Sequence, residues 1–262
     1  MASLVVETMQ AELGATEPWP DNAALFQPYQ VEQITFPDYA QCLGVKTFLH
    51  MCGLNFNVEL RTNAEEMSPS GKVPFIRVGA FLVSELDPIV AFVNTRGFQL
   101  SSHLDEQEKA EMRAYMALVD NLLVNAELHL AWCDQQVSEE VSKPRYGCMH
   151  PWPLNRLLPF KKQRDVRARL SSVGWGKKTV DEVCDDVRTC CQALSERLDK
   201  KAYFFGDKPT ELDAQVFGHL FTILTTALPV RRFAEVIEEY KNLTTFCQRI
   251  DEKVFKKAGH TF

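Results

Sequence analysis

The sequence predicts an α+β fold, with a small mixed unit in the order βαβ, loop, ββα followed by an all-helical unit. Three observations carry this. Strand-like alternation is confined to the residues before the turn at Arg96-Gly97, and beyond that turn every strong periodic signal is helical. Three of those helical stretches open with capping boxes. Within the first unit, residues 71–90 read GKVPFIRVGAFLVSELDPIV: a proline interrupts an apolar run, a glycine turns it back, and Asp-Pro starts a helix.

The elements follow in order. Residues 1–22 form an acidic tail ending in Pro18-Trp19-Pro20. Leu25 and Phe26 begin a strand, Phe36-Pro37-Asp38-Tyr39 lies in a loop, and Cys42, Val45, Phe48, Leu49 and Cys52 share one face of a helix. Phe56, Val58 and Leu60 alternate with Asn57, Glu59 and Arg61, which predicts a half-buried strand. Pro74 inside the next apolar run demands an edge position or a special X-Pro bond, often cis. Gly79 supplies a tight turn into the run from Phe81 to Val83, so the two segments form a hairpin. Asp87-Pro88 then opens a helix that completes the unit by about Asn94. Residues 23–97 therefore read as one thioredoxin-like domain.

Residues 98–262 read as a helical bundle. Its capping boxes pair Ser102 with Asp105, Thr179 with Glu182, and Thr210 with Asp213, and each precedes an apolar helical stripe. A last helix carries Leu243, Phe246, Cys247, Ile250 and Val254, with Asn242 as its cap. Between about 143 and 178 the charge balance changes abruptly: ten basic residues stand against the single acid Asp165, a net +9 that leaves −15 for the rest of a chain whose total is −6. Trp152, Leu154, Leu157, Phe160 and Trp175 are interspersed with these charges, and the segment reads as an insertion between core helices.

Composition bounds the class. At 262 residues, with 45% hydrophobic and 24% charged, the chain has material for a sizeable core. No apolar run reaches the roughly 18 residues that a bilayer requires. The first basic residue is Lys46, after Glu7, Glu12, Glu17 and Asp21, a charge pattern unlike a secretory signal or a basic presequence. The eight cysteines include no C-x-x-C pair, which predicts free thiols in a reduced, cytosol-facing protein.

The segment at 71–90 resembles the glutathione-binding element of the glutathione transferases, G-K-V-P-x-L, a hairpin, then Glu/Gln-Ser-x-A-I, whose serine and backbone hold the glutamyl end of the tripeptide. Counting back from Ile89, Glu85 takes the Glu/Gln position, Leu86 takes the serine position, and Pro74 keeps the place of the family's proline. Leucine neither donates nor accepts a hydrogen bond, so a bound polar end would go unpaired at a cost of about 1–3 kcal/mol. Ser84 is out of register. The C-P-x-C window of redox relatives falls on Phe36-Pro37-Asp38-Tyr39, and Cys42 comes too late in the helix to be the nucleophile. Tyr29 and Tyr39 are the candidate thiol activators of an alternative reading, a divergent glutathione transferase.

Other chemistry is weaker. His129 and Cys133 are spaced i, i+4 but have no second ligand pair, so no metal is expected. Gly174-Trp175-Gly176-Lys177-Lys178-Thr179 lacks the spacing of a phosphate loop and reads as a turn feeding the helix capped by Thr179. Lys161, Lys162, Arg164, Arg167, Trp175 and Lys177 are the candidate contacts of the basic segment, with anionic lipid or an acidic protein as counterpart. Nucleic acid is not expected, because the molecule as a whole is acidic.

The chain resembles the metaxin family along nearly its whole length. The resemblance is carried by Glu17-Pro18-Trp19-Pro20, Met67-Ser68-Pro69-Ser70-Gly71-Lys72-Val73-Pro74, Pro151-Trp152-Pro153-Leu154-Asn155, Gly174-Trp175-Gly176-Lys177-Lys178-Thr179 and Pro209-Thr210-Glu211-Leu212-Asp213-Ala214. It implies a glutathione-transferase-like fold with no catalytic residue and no cofactor. It further implies a non-catalytic adaptor at the cytosolic face of the mitochondrial outer membrane, in the sorting and assembly machinery (SAM complex) that imports and inserts β-barrel proteins. The implied partners are a metaxin-1 paralogue, the β-barrel assembly subunit and motor-adaptor proteins that move mitochondria. The implied membrane association is peripheral.

Overall fold

A computed structural model describes residues 18–30 and 32–256. Most of the acidic tail, residues 1–17, including Glu17 of the first family motif, lies outside the described residues. Strand β1 (Ala24–Gln27) leads to helix α1 (Phe36–Met51) and then to β2 (Asn57–Leu60), and β3 (Phe75–Val78) and β4 (Phe81–Ser84) form a hairpin before α2 (Leu86–Thr95). The sheet order is β2-β1-β3-β4. β1 pairs parallel with β2 and antiparallel with β3, so Leu25 lies opposite both Val58 and Ile76. Val78 pairs with Phe81, and the two-residue loop between them places Gly79 at φ +61, where glycine carries no steric penalty. The Val73-Pro74 peptide is cis.

Two local expectations change. Helix α1 begins at Phe36 rather than after the Phe36-Pro37-Asp38-Tyr39 window, because Pro37 fits a first turn whose amides need no partner. β2 is an edge strand paired only with β1; Phe56 and Leu60 are half-buried as predicted, whereas Val58 is exposed.

Ten labelled helices account for most of the described chain. After α2 they are α3 (Glu106–Val119), α4 (Asn125–Trp132), α5 (Lys143–Gly147), α6 (Leu154–Ser172), α7 (Val180–Leu198), α8 (Glu211–Thr225), α9 (Arg232–Glu238) and α10 (Lys241–Ile250). A π-helical stretch, Asp120–Val124, joins α3 to α4. The box at Thr179 and Glu182 forms as predicted, with the Thr179 amide donating to Glu182 Oε2 at 2.7 Å. At the start of α8 the buried Asp213 carboxylate takes the amide and hydroxyl of Thr210, both at 2.7 Å, and the Phe204 amide at 3.0 Å. The predicted box at Ser102 and Asp105 is displaced by one turn. Leu100–His103 forms a 3-10 turn, and Asp105 caps α3 through a reciprocal pair with Glu108. Asn242 is not a cap either: it lies in the first turn of α10 and ties it to α7 through Ser195, at 2.8 and 2.9 Å.

The basic segment contributes to the core. Pro159, Gln163, Val166 and Leu170 form a buried stripe on α6 that packs on α4 and α5. Gln163 Nε2 donates to the Trp132 carbonyl at 2.8 Å and to Ser138 Oγ at 3.0 Å. The most extensive helix–helix contact joins α1 to α8, and through it the sheet half is fastened to the helical half. All eight cysteines are free thiols. No helix among the described residues is long and apolar enough to cross a membrane.

Candidate functional site

A cleft of about 630 Å³ opens where α1, the start of α2, the π-helical stretch and α6 converge. Leu86, the first residue of α2, lines it at 7% exposure. A leucine here offers carbon to any ligand end that needs a hydrogen-bond donor. Next to it, Glu85 has φ +69 and its amide donates to the Pro74 carbonyl at 3.3 Å, while its carboxylate is engaged by Lys72. Ser84 does not substitute for the missing hydroxyl, because its Oγ donates to Ser70 Oγ at 2.9 Å.

The opposite wall is charged. Lys162 Nζ donates to Glu65 Oε1 at 2.6 Å, and the Tyr146 hydroxyl donates to Glu65 Oε2 at 2.8 Å. Asp38 accepts from Thr35 Oγ1 at 2.5 Å. Burial raises the Asp38 carboxyl to about 6, against the opposite pull of the Lys162 ammonium. Burial works against that ammonium too, but Asp38 and Glu65 more than offset it and hold Lys162 above the ordinary lysine value. Asp120 shares Oδ1 with Gln215 Nε2 at 2.9 Å and is likewise raised, chiefly by burial.

Neither candidate tyrosine lines this cleft. Tyr29 is a surface residue, and the Tyr39 hydroxyl accepts a 3.4 Å hydrogen bond from Gln30. Burial raises the pKa of Tyr39 and keeps its hydroxyl protonated, so what disqualifies this tyrosine is its position outside the cleft. Cys42 is fully buried and its thiol is also pushed up. His129 Nε2 lies 3.2 Å from the Lys178 carbonyl, at the end of the turn feeding α7.

The six candidate contacts of the basic segment separate. Lys161, Arg164, Arg167 and Lys177 are exposed. Lys162 faces the cleft instead, because Glu65 sits within reach. Trp175 is 6% exposed under the turn, with Lys178 Nζ 4.2 Å from its ring centroid, so its ring is buried rather than presented at the surface. Sequence reading passed over Asp38, Glu65 and Tyr146. Glu65 lies 81 residues from Tyr146 and 97 from Lys162, and no local pattern signals such pairings.

Two regions of the chain match protein families: residues 40–137 match the Glutathione S-transferase N-terminal domain, and residues 187–250 match the Glutathione S-transferase C-terminal domain. Metaxin-2 of Homo sapiens is 52% identical over 257 residues, covering 98% of each chain. Metaxin-1 of Mus musculus is 29% identical over 224 residues, covering 83% of this chain and 70% of its own. Among solved structures, a glutathione S-transferase of Ceriporiopsis subvermispora in complex with glutathione superposes with a TM-score of 0.57 at 12% identity, over 88% of this chain and 97% of that one. The fold is thus glutathione-transferase-like, with a small four-stranded sheet and its helices preceding a helical bundle.

Proposed function

Since this chain belongs to the metaxin family, we propose that it is a non-catalytic adaptor that works through its surfaces rather than through its cleft. The observation that carries this reading is Leu86, an apolar side chain on the cleft wall where the transferases place a hydrogen-bonding serine. The Lys72–Glu85 ion pair beside it supports the same reading, since it engages the charge nearest that position. A polar tripeptide end placed there would lose its hydration without recovering a partner.

In this reading the protein is a peripheral subunit on the cytosolic face of the mitochondrial outer membrane. It pairs with a metaxin-1 paralogue and serves the sorting and assembly machinery that inserts β-barrel proteins, with a further role in mitochondrial transport. The acidic tail at 1–22, the thioredoxin-like domain at 23–97 and the helical domain at 98–262 are its working units. Lys161, Arg164, Arg167 and Lys177 are its outward-facing basic contacts.

Crosslinking and co-purification from mitochondrial membranes test this. The expected result is a crosslink to the metaxin-1 paralogue and release of the chain from the pellet by alkaline carbonate. Recovery in the cytosolic fraction with no crosslink would overturn it. The competing transferase reading is tested by calorimetry with reduced glutathione and turnover of chlorodinitrobenzene. No saturable heat and no turnover are expected, and binding with turnover dependent on Tyr29 or Tyr39 would reverse the conclusion.

A further inference from the structure

The three most exposed large apolar side chains among the described residues sit within nine positions of one another: Trp152 at 79%, Leu157 at 57% and Phe160 at 63% exposure. Trp152 lies in the turn that leads into α6, and Leu157 and Phe160 are on the first two turns of that helix. Helical spacing fixes the arrangement. Pro159, Gln163, Val166 and Leu170 face the core, so Leu157, Lys161 and Arg164, at i, i+4 and i+7, run along the solvent side, with Phe160 and Arg167 on its flank. The only acid between Lys143 and Lys178 is Asp165, and Arg164 lies 3.8 Å from it.

A solvated face would carry polar residues in place of this tryptophan, leucine and phenylalanine, and apolar clusters of this kind mark interaction surfaces. The nature of the counterpart follows from the mixture. The centre of a protein–protein interface is depleted of charge, whereas here Lys161 and Arg164 stand one helical turn from Leu157 and Phe160. An anionic lipid surface accommodates both. The rings and the leucine enter the boundary between headgroups and acyl chains, while the long basic side chains extend to the phosphates.

We propose that this face, formed by residues 152–167, seats the protein on an anionic bilayer. Trp152, Leu157 and Phe160 insert shallowly, and Lys161, Arg164 and Arg167 contact lipid phosphates. This gives the adaptor reading its membrane-facing side and rests on that reading only for location. The lipid contact is a property of the purified chain alone and can fail or succeed independently of any crosslink to a paralogue.

The test uses the purified full-length chain and sedimentation with vesicles of phosphatidylcholine, alone or with about 25% phosphatidylserine. Binding is expected to the anionic vesicles and to fall as salt rises. Trp152→Ala and Phe160→Ala should each weaken it by about tenfold, and the charge reversals Lys161→Glu with Arg164→Glu should abolish the salt-sensitive part. Leu82→Ala, an exposed apolar position on β4, should leave binding unchanged. Brominated lipid should quench the wild-type fluorescence, and Trp152→Phe should remove most of that quenching. All these positions are exposed, so circular dichroism melts are expected to be unaltered. The proposal is overturned by absence of sedimentation with either vesicle, by equal binding of the Trp152 and Phe160 variants, or by self-association that these variants abolish, which would assign the face to a second copy.

Discussion

Gly218 of α8 lies against Gly44 of α1 so closely that a β-carbon on Gly218 would fall 2.5 Å from the Gly44 amide nitrogen and 2.7 Å from the Ala40 carbonyl oxygen. The relationship is not symmetrical. A β-carbon on Gly44 would meet its nearest neighbour, the Ala214 carbonyl oxygen, at an ordinary 3.6 Å.

This asymmetry predicts opposite outcomes for two conservative substitutions. Gly218→Ala pushes a methyl group into backbone that cannot rotate away, and should destabilise the protein by about 3 kcal/mol or more. Gly44→Ala fits and gains helix propensity of up to about 1 kcal/mol, so it should be neutral or mildly stabilising. Urea unfolding of the two variants distinguishes them, and equal losses would refute the close approach.

Asp213 predicts a pH dependence. Burial raises its carboxyl from 3.8 to about 6 in the folded state, against the pull of its Phe204 and Thr210 donors. A carboxyl that holds its proton more tightly when folded favours the fold at low pH, and this contribution is lost as pH rises from about 4 through about 6. The change is on the order of 3 kcal/mol. Unfolding free energies of the wild type and Asp213→Asn, compared from pH 4 to 7, should diverge in that window, and parallel curves would rule out the shift.

The buried pair of Glu127 and His219, 2.8 Å apart, predicts strong non-additivity. Both side chains are fully enclosed, so His219→Leu strands a carboxylate in the core at a cost of about 3–5 kcal/mol. Replacing both with leucine should recover most of that loss. A double-mutant cycle by chemical denaturation measures it, and additive single effects would contradict the pairing.

Local chemistry made much of this architecture legible. The alternation before Arg96, the turn at Gly79 and the reciprocal bonds of Thr179 and Thr210 depend on residues a few positions apart, and they appear where the sequence places them. The substitution at Leu86 was readable because its neighbours Pro74 and Glu85 keep the frame around it. What failed was long-range or competitive. Lys162 and Trp175 look like surface residues in a basic run, yet Glu65 draws one inward and the turn at Gly174 covers the other. Ser102 and Asp105 fit a capping pattern, but Asp105 pairs better with Glu108 once the 3-10 turn has used the preceding residues. The charged wall of Asp38, Glu65 and Lys162 comes from three separate stretches, and only folding brings it together.

The glycine crossing also governs how the molecule can be taken apart. Separated after residue 97, the sheet half would keep α1 but lose α8, the helix that shields its backbone around Ala40 and Gly44. That naked ridge would adhere to unrelated chains, so truncated fragments would report stickiness where the intact protein reports choice.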